Sequence, residues 1–302
     1  MLESLYFWKG NNGGSPVKKM LLIALAVVLV LSAGGAGAWY YFIKLPAQKA
    51  AEEALMRQRQ AAEKLQSDIA SVKSFYEKSL EGASIIKAIN FINEVNNSLA
   101  DFKDLSIESE AFDCDIKKCR FSYVNRPGTV LTLPEKTFWG KAYKASVNAK
   151  KDKKKGKDKS DFGYEGIESK LNGNALQTAY KNKKPLALYP CDEVVSYILT
   201  YNSFLKSMSG NKKKTANGEI VIKKMPNSAV TALETQLVSK VKAYGLMAGT
   251  WEIQFKGGVV SESTLNLQLV LFKQAYRDAF LIKRIESEHK GIKVSGGLVC
   301  KA

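Results

Sequence analysis

The stretch FDCDIKKCRFSY, residues 112–123, sets two cysteines around four residues in a largely charged segment. The run from Ser106 to Cys114 and the run from Cys119 to Asn125 each read as a strand, with Asp115-Ile116-Lys117-Lys118 between them. Two such runs around a short polar link predict a β-hairpin. A close cysteine pair can be a metal clamp, a redox switch or a disulfide. Which one applies depends on the compartment, so the reading moves outward from the hairpin to the rest of the chain.

With 302 residues the chain has room for one or two domains besides any membrane segment, and its 45% hydrophobic content is enough for a core. Its formal charge of +17 stands out, as does its single histidine, His289. One imidazole leaves no HExxH motif, no Cys/His zinc spacing and no facial triad. A Ser/His/Asp constellation would have to use His289, at a predicted helix end where a solvated or dipole-paired ring is the usual state. Glu108, Glu110, Asp113 and Asp115 are the carboxylates from which a glycosidase pair could be drawn. Alternation along an exposed strand already accounts for Glu108 and Glu110, and no other groups converge on them. The chain reads as non-enzymatic, with no catalytic, cofactor or metal residues.

From Met20 to Ile43 runs MLLIALAVVLVLSAGGAGAWYYFI, without a charge. As a helix it is about 36 Å long, enough for a hydrocarbon layer of about 30 Å. Trp39, Tyr40 and Tyr41 sit where an interfacial aromatic belt belongs. A cleavable signal peptide ending at Ala36-Gly37-Ala38 is the competing reading, but the apolar run is too long and the preceding tail too extended. The tail of residues 1–19 is expected in the cytoplasm, with the bulk of the chain in the periplasm of a bacterium. In an oxidising compartment cysteines pair. The four-residue gap and the lack of a nearby histidine disfavour zinc, and CxxC is absent. Cys114 and Cys119 are therefore read as a staple, and Cys191 and Cys300 pair by elimination.

Residues 44–82 read as a helical stalk. Ala47 to Leu80 contains no glycine or proline and is rich in Ala, Glu, Lys, Gln and Arg. Ala51, Ala54, Ala61 and Leu65 keep a three-four spacing that Ile69, Val72 and Tyr76 continue after a slip, as in a short coiled coil with a stutter. Leu65, Ile69, Val72 and Tyr76 are the expected partner face. In the tail, Leu5, Tyr6, Phe7 and Trp8 form an apolar cluster that suits either docking to a cytoplasmic partner or the headgroup region.

Beyond Gly82 an α-β-β pattern occurs twice. Residues 83–140 hold a helix over about 84–99, with Ile85, Ile89, Ile92 and Leu99 on one face, followed by the cysteine hairpin. Residues 141–161 are a lysine-rich loop too polar to fold. Residues 162–226 are an insertion with a helix over 191–208, turning Val194, Val195, Ile198 and Leu205 inward. In 227–302, Val230, Leu233, Leu237, Val241 and Tyr244 mark a helix that stops at Gly245. Strands follow at 250–255 and around Leu265–Leu271, then a helix at 274–288 and a last strand at 292–300. The expected class is α+β: one N-terminal transmembrane helix, a coiled-coil-like stalk and ferredoxin-like α-β-β modules.

This order, over roughly 18–125 and 227–300 and with the text CDIKKCRFSYVNRPGT at 114–129, resembles inner-membrane assembly proteins of type IV pili and type II secretion, the PilO and GspM kind. It looks closest to the PilO-like proteins of type IVb pili. The lysine run, the 126–226 insertion and the cysteine pairs depart from the minimal plan. The resemblance implies a non-enzymatic bitopic scaffold pairing as a homo- or heterodimer. Its implied partners are inner-membrane platform proteins, pilins or pseudopilins, and a cytoplasmic assembly protein reached through the tail. The alternative is a membrane-tethered periplasmic module for peptidoglycan or nucleic acid. For nucleic acid, the lysines lie in loops without the aromatic and arginine interleaving that base stacking uses.

Overall fold

The predicted hairpin is present. Strands β1 (Ile107–Asp115) and β2 (Lys118–Asn125) pair antiparallel with Cys114 opposite Cys119, and the two are disulfide-bonded across a Cα–Cα distance of 4.0 Å. The turn is set by Asp115, whose Oδ1 accepts the N–H groups of Lys117 at 2.6 Å and Lys118 at 2.9 Å. Burial alone would raise the Asp115 carboxyl, but those two backbone donors outweigh it and hold the group below its ordinary value. The computed structural model describes residues 16–100, 107–125, 135–147, 162–209, 217–256, 275–288 and 291–302. It divides into two units, Met1–Ser67 and Asp68–Ala302, each taken by itself.

In the first unit, helix α1 (Pro16–Trp39) and a π-helical turn (Tyr40–Lys44) precede helix α2 (Leu45–Ser79). The stalk helix expected over 44–82 is thus present within three residues of those ends. Among the residues whose side chains are described, no helix is long and apolar enough to cross a membrane. Those side chains leave out residues 16–19, Leu22 and residues 33–38 of α1, whose backbone helix is 24 residues long.

The second unit is α+β. Among the described residues eight strands form one sheet in the order β5-β6-β2-β1-β9-β10-β8-β7, with antiparallel pairing at every step. Besides β1 and β2 these are β5 (Ser146–Val147), β6 (Phe162–Glu168), β7 (Ile220–Asn227), β8 (Leu246–Lys256), β9 (Phe280–Glu288) and β10 (Gly291–Lys301). A separate hairpin joins β3 (Glu135–Phe138) to β4 (Lys141–Lys144). One face of the sheet carries Phe112, Phe121, Tyr164, Trp251, Ile285 and Val294. It forms a continuous core with helices α3 (Ile85–Ala100) and α5 (Cys191–Ser209) through Phe91, Ile92, Val194 and Ile198. The predicted inward residues Ile85, Ile92, Val194 and Ile198 are all buried.

Several sequence readings are corrected here. The helix expected over 274–288 is strand β9, preceded by a 3₁₀ turn at Arg277–Ala279. Its run Phe280-Leu281-Ile282 is buried on both faces of the sheet, Phe280 and Ile282 in the core with α3 and α5 and Leu281 in the cluster under the end of α2. A short continuous apolar run does not by its periodicity distinguish such a strand from a helix. The helix expected after Pro226 contracts to α6 (Thr231–Gln236), since Val238, Ser239 and Val241 are weak helix formers. Pro226 and Asn227 instead finish β7, an edge strand where a missing N–H is tolerated.

The lysine run is not all loop, because β4 and β5 occupy its first residues; positions 148–161 lie outside the described residues. The insertion supplies β6 to the sheet and a short helix, α4 (Ala175–Lys181). A bulge in β6 at Gly166, with φ +72°, lets Tyr164 and Ile167 reach the same core although they are three residues apart. The two expected modules therefore share one sheet, and their apolar faces make one core instead of two pairing surfaces. The strand expected at 265–271 lies outside the described residues.

The second disulfide joins Cys191 at the start of α5 to Cys300 in β10, with a Cα–Cα distance of 5.0 Å. Beside it the Lys301 N–H donates to the Tyr189 carbonyl at 2.9 Å. Replacing both Cys191 and Cys300 with Ser opens a loop with a sequence separation of 109 and is expected to cost about 4–5 kcal/mol in urea unfolding. The Cys114→Ser, Cys119→Ser pair, closing a far shorter loop, should cost about 2 kcal/mol. Unfolding midpoints that do not respond to either pair, or to reductant, would remove the disulfides from the stability argument.

Candidate functional site

The residues predicted to select a partner helix divide along α2. Leu65 is 37% exposed, Ile69 is half-buried, and Val72 and Tyr76 are 0% and 1% exposed. Val72 and Tyr76 are thus withdrawn from any partner face. They pack on the second face of the sheet, where Leu246, Leu281 and Val299 would otherwise meet water, together with Leu80, Leu176, Val230 and Leu237. The helix stripe is real, but its last turns belong to the chain's own core. Leu5, Tyr6, Phe7 and Trp8 lie outside the described residues.

Tyr76 is the centre of this root. Its hydroxyl donates to the buried carboxylate of Glu234 in a short hydrogen bond and accepts the Tyr244 N–H at 3.0 Å. Its ring stacks on Tyr180 at 5.2 Å and meets Tyr244 edge-on. Burial, and then the hydrogen bond to Glu234, push the phenol well above its ordinary value. Gly82, with φ +129°, stops the helix as its position predicts: a Cβ there would meet the Ile282 carbonyl oxygen at 2.9 Å. Ala83 then exchanges two backbone hydrogen bonds with Ile282 of β9.

Two side chains the sequence reading missed hold the same root. Asn174 Nδ2 donates to the carbonyls of Leu80 at 2.8 Å and Gly82 at 2.9 Å, while its Oδ1 caps α4 by accepting the Gln177 N–H. The signal was present as Asn174-x-x-Gln177, a capping box at a helix start. Lys283 Nζ donates to the Lys78 carbonyl at 2.6 Å, and burial holds its ammonium below the ordinary lysine value.

The part of the sheet's second face that α2 leaves uncovered is charged. Asp113 on β1 takes a two-pronged hydrogen bond from Arg284 on β9, at 2.8 and 2.6 Å. Arg284 also reaches Glu286, Glu286 pairs with Lys293 on β10, and Lys293 and Lys223 on β7 flank Glu252 on β8. One chain of opposite charges thus crosses the sheet from β1 to β7. Burial would raise Glu252, but the hydrogen bond from Lys223 and the charge of Lys293 prevail and hold its carboxyl below the ordinary 4.5. Asp113, read from sequence as one of an acidic cluster, is a structural ion-pair partner.

Upstream, in the first unit, α2 exposes the large apolar side chains Leu55, Met56 and Leu65. Among the described residues, no group of three or more His, Cys, Asp or Glu side chains is placed to hold a metal ion. No family model matches this chain, and neither a curated protein nor a solved structure is found to match it.

Tyr76→Phe leaves Glu234 buried without its donor and is expected to cost about 1–3 kcal/mol in denaturant unfolding. Because folding raises the Tyr76 pKa above 10.0, its contribution is complete below that pH and is lost as pH rises beyond it. The variant should therefore lose less stability above pH 10 than the parent; an equal alkaline loss would refute this. Glu252 has the opposite sign. Its depressed pKa adds stability above the unfolded value that disappears as pH falls through the folded one. Glu252→Gln should flatten the acid limb of the stability profile, and an unchanged limb would show that the charge chain is energetically idle.

Proposed function

We propose that this chain is a non-enzymatic single-pass scaffold of the bacterial inner membrane. In this reading α1 spans the bilayer, the tail of residues 1–19 is cytoplasmic, and the sheet unit works in the periplasm within a type IV pilus or related secretion machine. The observation that carries the proposal is the surface of α1. Met20, Leu21, Ile23, Leu25, Val27, Val28, Leu29, Val30 and Leu31 are each at least 51% exposed. Spread over three turns, they cover every side of the helix. A helix whose described side chains are apolar and exposed all round calls for lipid.

Two further features support the reading. Trp39 and Tyr40 are exposed at the end of the apolar run, with Lys44 Nζ 5.5 Å from the Trp39 ring, an arrangement suited to a headgroup boundary. Both cysteine pairs are oxidised and none is left free, as befits a compartment outside the cytoplasm. The pairing surfaces in this proposal are the 45–67 segment of α2, with Leu55, Met56 and Leu65, and the open charged face of the sheet. They stand in for the apolar faces of ferredoxin-like modules, since those faces are internal here. Platform proteins and pilins or pseudopilins are the partner classes, and the pairing is homo- or heterodimeric.

The test combines topology with capture. In spheroplasts, added protease should degrade the 68–302 unit of a chain that resists alkaline carbonate extraction. Affinity purification in mild detergent should then recover a polytopic platform protein, an assembly ATPase or pilins. Carbonate-extractable protein, or a protease-protected sheet unit, would overturn the membrane topology. Capture of none of those partners would overturn the scaffold.

A further inference from the structure

The β3–β4 hairpin turns through Trp139 and Gly140, both at positive φ, +53° and +83°. This is the type I′ geometry, for which Asn-Gly is the usual sequence. A bulky side chain at positive φ is a conformational outlier, and such outliers collect where a side chain is held for a ligand. The half-buried indole rests on Phe91 and Phe138, at 5.7 and 5.5 Å between ring centres. It lines a cleft of about 370 Å³ together with Glu168, Lys170 and Asn172.

The chemistry around this cleft is specific. Lys170 Nζ lies 6.0 Å from the Trp139 ring centre, and its counter-ion Glu94, 2.6 Å away, comes from α3. Lys141 reaches Glu168 at 3.3 Å, and the Tyr143 hydroxyl accepts the Glu168 N–H. An indole surface beside two ammonium groups, a carboxylate and an amide offers a platform for the C–H face of a sugar ring. Hydrogen-bonding groups surround it, and the two ammonium groups, paired here with Glu168 and Glu94, are the ones an acidic ligand would draw away from those glutamates.

We propose that this cleft binds an acidic carbohydrate, a pyranose glycan bearing carboxylates, with Trp139 as its stacking platform and Lys141 and Lys170 as its carboxylate partners. The proposal goes beyond the scaffold reading, and binding by the purified chain does not depend on which membrane machine the protein serves.

The experiment is calorimetric titration of the detergent-solubilised full chain with the disaccharide of N-acetylglucosamine and N-acetylmuramic acid. The neutral dimer of N-acetylglucosamine and short poly-glutamate serve as comparison ligands. The expected result is saturable binding of the acidic disaccharide, tighter than the neutral dimer. Trp139→Asn restores the preferred turn sequence, so the hairpin is kept while the platform goes, and affinity should fall about tenfold or more. Lys141→Gln with Lys170→Gln should erase the preference for the acidic sugar and leave weak binding of both. No saturable sugar binding by the parent chain, or undiminished binding by Trp139→Asn, overturns the proposal. So does poly-glutamate competing on equal terms, which would mark the cleft as a site for acidic peptide.

Discussion

Strand β1 meets β9 over only four residue pairs, from Phe112 opposite Ser287 to Asp115 opposite Arg284, yet this seam holds the sheet unit together. On one side of it lie β2, β6 and β5; on the other lie β10, β8 and β7. The partners are some 170 residues apart in sequence, so closing them costs chain entropy that local hairpins do not. The seam is reinforced where it is short. Cys114 and Ile285 are both buried in the core beneath it, and the Asp113–Arg284 pair bridges it on the open face with two hydrogen bonds. The Cys114–Cys119 disulfide fixes the end of β1 that β9 must find.

The two faces of this sheet have different duties. One is largely apolar and packs on α3 and α5, with the Cys191–Cys300 bond tying α5 to β10. The other is divided between a small aromatic-aliphatic cluster under the end of α2 and a chain of alternating charges. Val72, Tyr76 and Leu80 anchor the helix. Glu234, Asn174 and Lys283 satisfy its polar groups there, so the root of α2 is fixed by hydrogen bonds as well as by apolar burial.

Much of the candidate site was legible from local signals. The hairpin and its cysteine pair followed from alternation and a polar link, and both disulfide pairings agree with the sequence reading. The helices at 85–100 and 191–209 came from three-four periodicity. The failures share a cause. Phe280-Leu281-Ile282 carries no periodicity because it is buried on both sides, and that depends on α3 and α5 covering one face of the sheet and the end of α2 the other. The stripe through Ile69, Val72 and Tyr76 was visible, but a stripe does not say whether its cover is another chain or its own. Trp139 gave no sequence signal of its left-handed backbone, since Trp-Gly is not a usual turn sequence.

Local signals in the sequence settled several elements: an uninterrupted apolar helix, a long polar one and a stapled hairpin. Period, capping and turn preference act between residues close in the chain, and these were enough. Only the tertiary structure decided that two α-β-β patterns fuse into one sheet and that the stalk's last turns are internal. It also decided that Asp113 is an ion-pair partner of Arg284. Each of these rests on contacts between residues far apart in sequence, where burial and charge pairing are set by which surfaces meet and not by which residues are neighbours.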